Sequence, residues 1–190
     1  IAGLIGVFIA RDATFAAEEG GCMAECGSGS AMAAAAIVHL AGGTTTQQLT
    51  AASIALQNCF GMICDPIANR VEAPCLGKNI MAATNALSCA NMALGGYDHL
   101  IPFDEVVVSM NKVAHQIPRE LRCTNLSGLS ITPTEEKSQK ISLIVNAAAN
   151  QAVPQFKHIP IGKSHLLSDP RLDQEHLGSI VPARYGASFM

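Results

Sequence analysis

Four cysteines stand beside Gly or Pro, where the backbone turns. Cys22 follows Gly20-Gly21, Cys26 precedes Gly27, Cys64 precedes Asp65-Pro66, and Cys75 follows Pro74. Thiolates are the ligands of iron–sulfur clusters and of structural zinc. A cysteine at a loop bend can point into a cavity, and exposed backbone N–H groups there can donate to sulfide. The four do not form a pair of C-x-x-C knuckles, which argues against a zinc ribbon. Nor do they form the compact C-x-x-C-x-x-C run of ferredoxins. Spacing alone leaves a plainer alternative open, that these are small buried hydrophobes, as free cysteine often is. Cys22 and Cys26 share a face if the turn between them is helical. Cys59 and Cys89 sit inside helical patterns and read as core.

Other polar groups lie close by in sequence. Glu18, Glu19 and Glu25 flank Cys22, either as a solvated turn or as hydrogen-bonding groups behind a bound cluster. Asp65 can cap the turn at Pro66 or orient a substrate. Lys78 and Asn79 begin the helix after Cys75. With its backbone N–H groups they could receive a carboxylate, although Lys78 reads as solvent-exposed. His39 reads as a core histidine, and His99 and His115 as surface residues near turns. None of these singles itself out as a general base.

These residues need a scaffold, and the composition supplies one. The chain has 190 residues, 49% of them apolar and only 4% aromatic, with no Trp. That length suits one domain. Packing by Ala, Gly, Met and Leu implies helices in close approach. A net charge of −3 gives no basic surface for nucleic acid. The most apolar run, Ala31 to Gly42, contains His39 and falls short of the ~20 residues that cross a bilayer. No membrane span is expected. Ile1 to Ala10 is too short to span and lacks a basic leader, so no signal peptide is expected. The start at Ile1 suggests a fragment or a processed piece. Seven cysteines, an odd number, argue against a closed disulfide framework and for reduced thiols in the cytoplasm.

Hydrophobic periods and glycine pairs predict an all-α fold. Ile1 to Ala17 forms a helix stopped by Gly20-Gly21. Ser28 and Ser30 cap a helix through Leu40. Thr44 to Thr46 start the next helix, which runs until Gly61. Met62 to Cys75 is a loop holding Pro66 and Pro74. Asn79 to Leu94 is helical, and Asp104-Glu105 open a helix reaching His115. Asn125 to Thr134 is a loop. The character changes at Glu135, so two parts are expected: a helical domain, 1–134, and a tail, 135–190. Ile141 to Gln151 could form one more helix, and Val153 to Met190 reads as extended or weakly ordered.

Several ordered motifs resemble one family. They are Glu18-Glu19-Gly20-Gly21-Cys22-Met23-Ala24-Glu25-Cys26-Gly27, followed by Ser30-Ala31-Met32-Ala33-Ala34-Ala35. Next come Cys64-Asp65-Pro66-Ile67-Ala68 and Val71-Glu72-Ala73-Pro74-Cys75. Asn85-Ala86-Leu87, Met92-Ala93-Leu94 and Ile101-Pro102-Phe103-Asp104-Glu105-Val106-Val107 complete the set. Over roughly residues 1–134 the chain is similar to the iron–sulfur-dependent L-serine dehydratases, in their α-subunit or catalytic domain.

The resemblance implies a [4Fe–4S] cluster held by Cys22, Cys64 and Cys75, with a fourth iron open as a Lewis acid toward the L-serine hydroxyl. Loss of the α-proton and of water would then give pyruvate and ammonia. Glu25, Asp65 and Asn79 would stand behind the ligands or meet the substrate. The three sulfurs should converge within roughly 6–7 Å, with Cys59, Cys89 and Cys123 elsewhere. A companion β domain or subunit is implied, and a homo-oligomer is expected. The chain departs from the family at Asn69, where Gly is expected. It also lacks the Ser/His-rich substrate motif, and residues 135–190 match nothing in the family. The alternatives are a related cluster-dependent hydratase or desulfidase, or a non-enzymatic iron–sulfur redox or sensor module with four ligands.

Overall fold

A computed structural model of the chain describes residues 1–68, 70–135, 137 and 140. Helices α1 (Ala2–Asp12), α2 (Ala17–Cys22), α3 (Ser28–Leu40), α4 (Thr45–Gln57), α5 (Cys75–Leu94) and α6 (Phe103–Gln116) carry the fold. A π-helical turn, Met23–Gly27, joins α2 to α3, and short 3₁₀ turns span Arg119–Leu121 and Gly128–Ile131. Among the described residues there is no strand, only isolated bridges such as Cys64 with Arg122. The all-α expectation holds for these residues.

Small residues decide how the helices meet. α3 packs against α4, α5 and α1. It buries Ala31, Ala34, Ala35 and Val38, while α4 buries Ala51, Ala52, Ala55 and Leu56. α5 offers Ala82, Ala86, Cys89, Ala90 and Ala93. On the other side, Ile5 and Ile9 of α1 join Val106, Val107 and Met110 of α6 in the same core. Thr44 caps α4 as expected: its hydroxyl accepts from the Gln47 N–H, and the Gln47 side chain accepts from the Thr44 N–H.

Five boundaries differ from the sequence reading, one being α4, expected to run until Gly61 but ending at Gln57. The first helix ends at Asp12, because Ala13 turns extended and the Thr14 hydroxyl accepts from the Ala16 N–H. A new helix then starts at Ala17 and runs on past Gly20-Gly21 into α3, so the glycine pair kinks a helix instead of stopping one. Ser28 and Ser30 make no cap bond, since Gly27 before them is already helical. The helix expected from Asn79 begins at Cys75. Asn69, Ile141 to Gln151 and Val153 to Met190 lie outside the described residues. The described residues all fall within one compact unit, Ile1–Ala147.

The joined run Ala17–Leu40 is long and apolar enough to cross a membrane, which the sequence reading did not foresee. Within the protein, 67% of its most apolar window is buried, the setting of a core helix.

Asn85 ties three helices together. Its amide N–H₂ donates to the Ser30 hydroxyl of α3 at 2.9 Å and to the Ala55 carbonyl of α4 at 2.9 Å. Ser30 in turn donates to the Ala82 carbonyl at 2.8 Å. Removing one partner of such a network strands the others. Asn85→Ala is expected to lower the stability of the metal-free chain by about 1–3 kcal/mol, measured by urea unfolding. An unchanged midpoint would show that the network contributes nothing.

Candidate metal centre

Cys22 is set by its neighbour. Gly21 has φ +69° and ψ −174°, a region essentially restricted to glycine. A Cβ there would lie 2.6 Å from the Met62 carbonyl oxygen, which accepts from the Met23 N–H at 2.9 Å. The missing side chain thus lets the 62–63 segment lie directly on the Cys22 turn. The π-helical turn follows, a wide turn of a kind often found at functional sites. Cys64 is fixed from the other side. Its N–H donates to the Leu121 carbonyl at 2.9 Å, and its carbonyl accepts from the Cys123 N–H at 2.8 Å. Cys75 is the first residue of α5, fixed there by Pro74 before it and by the Leu76 N–H, which donates to the Val71 carbonyl at 2.8 Å.

The result is convergence. The sulfurs of Cys22, Cys64 and Cys75 all lie within 4.8 Å of one another, and all three residues are buried. This is inside the separation that one small cluster demands. All seven cysteines are free thiols. Cys59 and Cys89 sit apart in the α4–α5 core, where Asn85 and Asn58 donate weakly to their sulfurs. Burial, and then the charge of Cys89, push the Cys59 thiol up to about 11. Cys123 is not elsewhere, contrary to expectation. The backbone pairing with Cys64 brings its half-buried thiol beside the Cys64 sulfur. Cys26 is buried next to Cys22, and its thiol donates to the Asn79 side-chain amide oxygen, Oδ1, at 3.7 Å.

The electrostatics single out Cys22. The neighbouring thiols of Cys26 and Cys64, and then the Lys78 charge, hold its pKa far below the usual thiol range despite burial. The same contacts, with burial, push the thiols of Cys26 and Cys64 upward. Burial first, and then the Cys22 charge, also raise Cys75 and Glu25.

Asp65 and Lys78 form an ion pair beside this set. Lys78 Nζ donates to Asp65 Oδ1 at 2.6 Å and to the Ile63 carbonyl at 2.8 Å. The Lys78 side chain is 20% exposed, which corrects the solvent-exposed reading. Asp65 Oδ2 accepts from the Leu129 N–H at 3.0 Å. Gly128, at φ +64°, packs so tightly on that carboxylate that a Cβ would lie 2.8 Å from it. Glu25 and Asn79 are exposed, and both line a cleft of about 210 Å³ that reaches Cys26. The Asn79 amide also donates to the Cys75 carbonyl at 3.0 Å, so it bridges Cys75 and Cys26.

The histidines lie elsewhere. His39 is exposed at the end of α3, contrary to the core reading. His99 is half-buried, with Nδ1 2.9 Å from the Thr50 hydroxyl, and His115 is exposed. A second cleft of about 360 Å³ includes His99, Phe8 and Phe103 but no cysteine.

The family model for the serine dehydratase alpha chain matches residues 1–130. The chain is 49% identical over 136 residues to the L-serine dehydratase alpha chain of Peptoniphilus asaccharolyticus, covering 72% of this chain and 47% of that one. It is 47% identical over 139 residues to the probable L-serine dehydratase alpha chain of Bacillus subtilis, covering 73% and 46%. It is 37% identical over 131 residues to the L-serine dehydratase of Mycobacterium tuberculosis, covering 68% and 28%. The chain therefore spans about half or less of the length of these curated relatives. Matched over most of its length, this chain belongs to the serine dehydratase alpha chain family.

Proposed function

We propose that this chain is the cluster-bearing part of a lyase that converts L-serine to pyruvate and ammonia. The observation that carries the reading is the convergence of three buried thiols, within 4.8 Å of one another, in a member of this family. An all-sulfur donor set suits iron–sulfur clusters and zinc far better than hard cations. Three ligands leave one iron of a [4Fe–4S] cube without a protein ligand. Cys22, Cys64 and Cys75 would hold such a cluster, which would supply a Lewis-acid iron for the L-serine hydroxyl.

The chain's own residues have distinct tasks in this reading. Burial of the three thiols keeps water from the ligand sulfurs. Cys26 lies outside the set of three converging sulfurs, and its thiol donates to the side-chain amide oxygen of Asn79. It therefore stands beside the cluster without closing the open position. Asn79 fixes the first turn of α5, and the cleft beside it offers room for a small polar substrate. The companion β domain or subunit would complete the substrate site, and the enzyme would work as a homo-oligomer. Free thiols fit a reducing compartment, the cytoplasm.

The test is a graft. Residues 1–134 replace the matching segment of the Bacillus subtilis alpha chain, and pyruvate formation from L-serine is followed anaerobically with the β chain present. The graft is expected to retain deamination, and Cys22→Ser within it to abolish it. The isolated chain, which covers under half of that relative, is expected to form pyruvate at a negligible rate. A graft that holds a cluster yet makes no pyruvate would move the reading to another small hydroxy or amino acid.

A further inference from the structure

Lys78 joins two of the three converging thiols. It lies one helical turn after Cys75 on α5, and its ammonium donates to the Ile63 carbonyl and to Asp65. These two partners are the residues on either side of Cys64. One side chain therefore clasps the Cys64 segment onto the helix that begins with Cys75.

Stability is a poor explanation for such a pair. Asp65 is 5% exposed and Lys78 20% exposed in their side chains. Two charges at that depth lose hydration roughly equal to what their attraction returns. The placement has a positional logic instead. Asp65 is itself anchored by the Leu129 N–H and packed on by Gly128, so the clasp has a fixed end.

We propose that Lys78 is a positioning residue for the converging thiols: it clasps the Cys64 segment to α5 and so holds Cys64 in place beside Cys75. The inference rests on the reading of Cys22, Cys64 and Cys75 as ligands. It extends that reading to the group that holds them ready before any metal arrives.

The probe is cobalt(II), titrated anaerobically into the metal-free chain and read by thiolate-to-cobalt absorbance. Groups that hold metal ligands in place typically contribute 10–100-fold in affinity. Lys78→Met is expected to weaken cobalt binding by about 10–100-fold, and Lys78→Arg, which keeps the charge, to recover most of that loss. Lys78→Met strands the buried Asp65, so the double variant with Asp65→Asn is the decisive comparison. It should regain the thermal stability of the parent chain while its cobalt affinity stays low. Parental affinity in the double variant would overturn the proposal, since Lys78 would then serve only to neutralise Asp65. Parental affinity in Lys78→Met would overturn it equally. Cys64→Ser separates the two readings. If it abolishes cobalt binding while Lys78→Met does not, this inference alone fails. If it leaves binding intact, the assignment of the ligands fails first.

Discussion

Cys22→Ser, Cys64→Ser and Cys75→Ser are each expected to lose stable cluster binding. After anaerobic reconstitution the parent chain should carry about four irons and four sulfides, with a brown colour and absorbance near ~400 nm. Each variant should fall close to zero, because two thiolates cannot hold a cube against exchange with solvent. A serine oxygen is a harder and more weakly bound donor for these irons. Cys59→Ser and Cys89→Ser should keep their iron and lose only packing, since both are fully buried and neither belongs to the converging set. Cys26 and Cys123 are the sharper controls, because each touches the trio without belonging to it. Both are expected to retain iron as Ser variants. Loss of cluster in Cys26→Ser together with retention in Cys22→Ser would reject the assignment, and with it the open iron.

The cysteine placement was legible because its cause is local. Gly21, Pro66 and Pro74 declare turns in the sequence, and a turn beside a thiol is visible without any knowledge of the fold. The helix periods were legible for the same reason: Ala-rich runs between glycines leave few other conformations. What stayed hidden depends on pairs distant in sequence. Lys78 looked like an ordinary exposed lysine at a helix start until the 63–65 segment folded over it. Cys123 comes beside Cys64 only through a two-bond backbone bridge that no periodic pattern announces. Ser30 looked like a cap and is instead a buried link between α3 and α5. The break at Ala13 to Ala16 carries no Gly or Pro, and only the Thr14 hydroxyl bond marks it. The π-helical turn has no sequence signature in this chain, yet it sets the spacing of Cys22 and Cys26.

Gly21→Ala is expected to damage the site almost as severely as loss of a ligand. Two effects add at this position. The φ and ψ of Gly21 are open to glycine and costly to any residue with a Cβ, by about 1–3 kcal/mol. The new methyl would also lie 2.6 Å from the Met62 carbonyl oxygen, and that contact is backbone, so no side chain can swing aside. Either Gly21 changes conformation and turns Cys22 away, or the 62–63 segment retreats and takes Cys64 with it. Both routes separate the same two sulfurs. The metal-free variant should unfold at lower urea concentration by about 1–3 kcal/mol. Its iron content after reconstitution should fall well below that of the parent chain. Gly29→Ala is the matched control. Gly29 is exposed in α3 with an ordinary helical φ, and nothing lies within 4 Å of an added Cβ. There the same substitution should be neutral or stabilise by about 0.5–1 kcal/mol. Equal stability and full iron in Gly21→Ala would show that the close approach of Met62 does not hold Cys22 against Cys64.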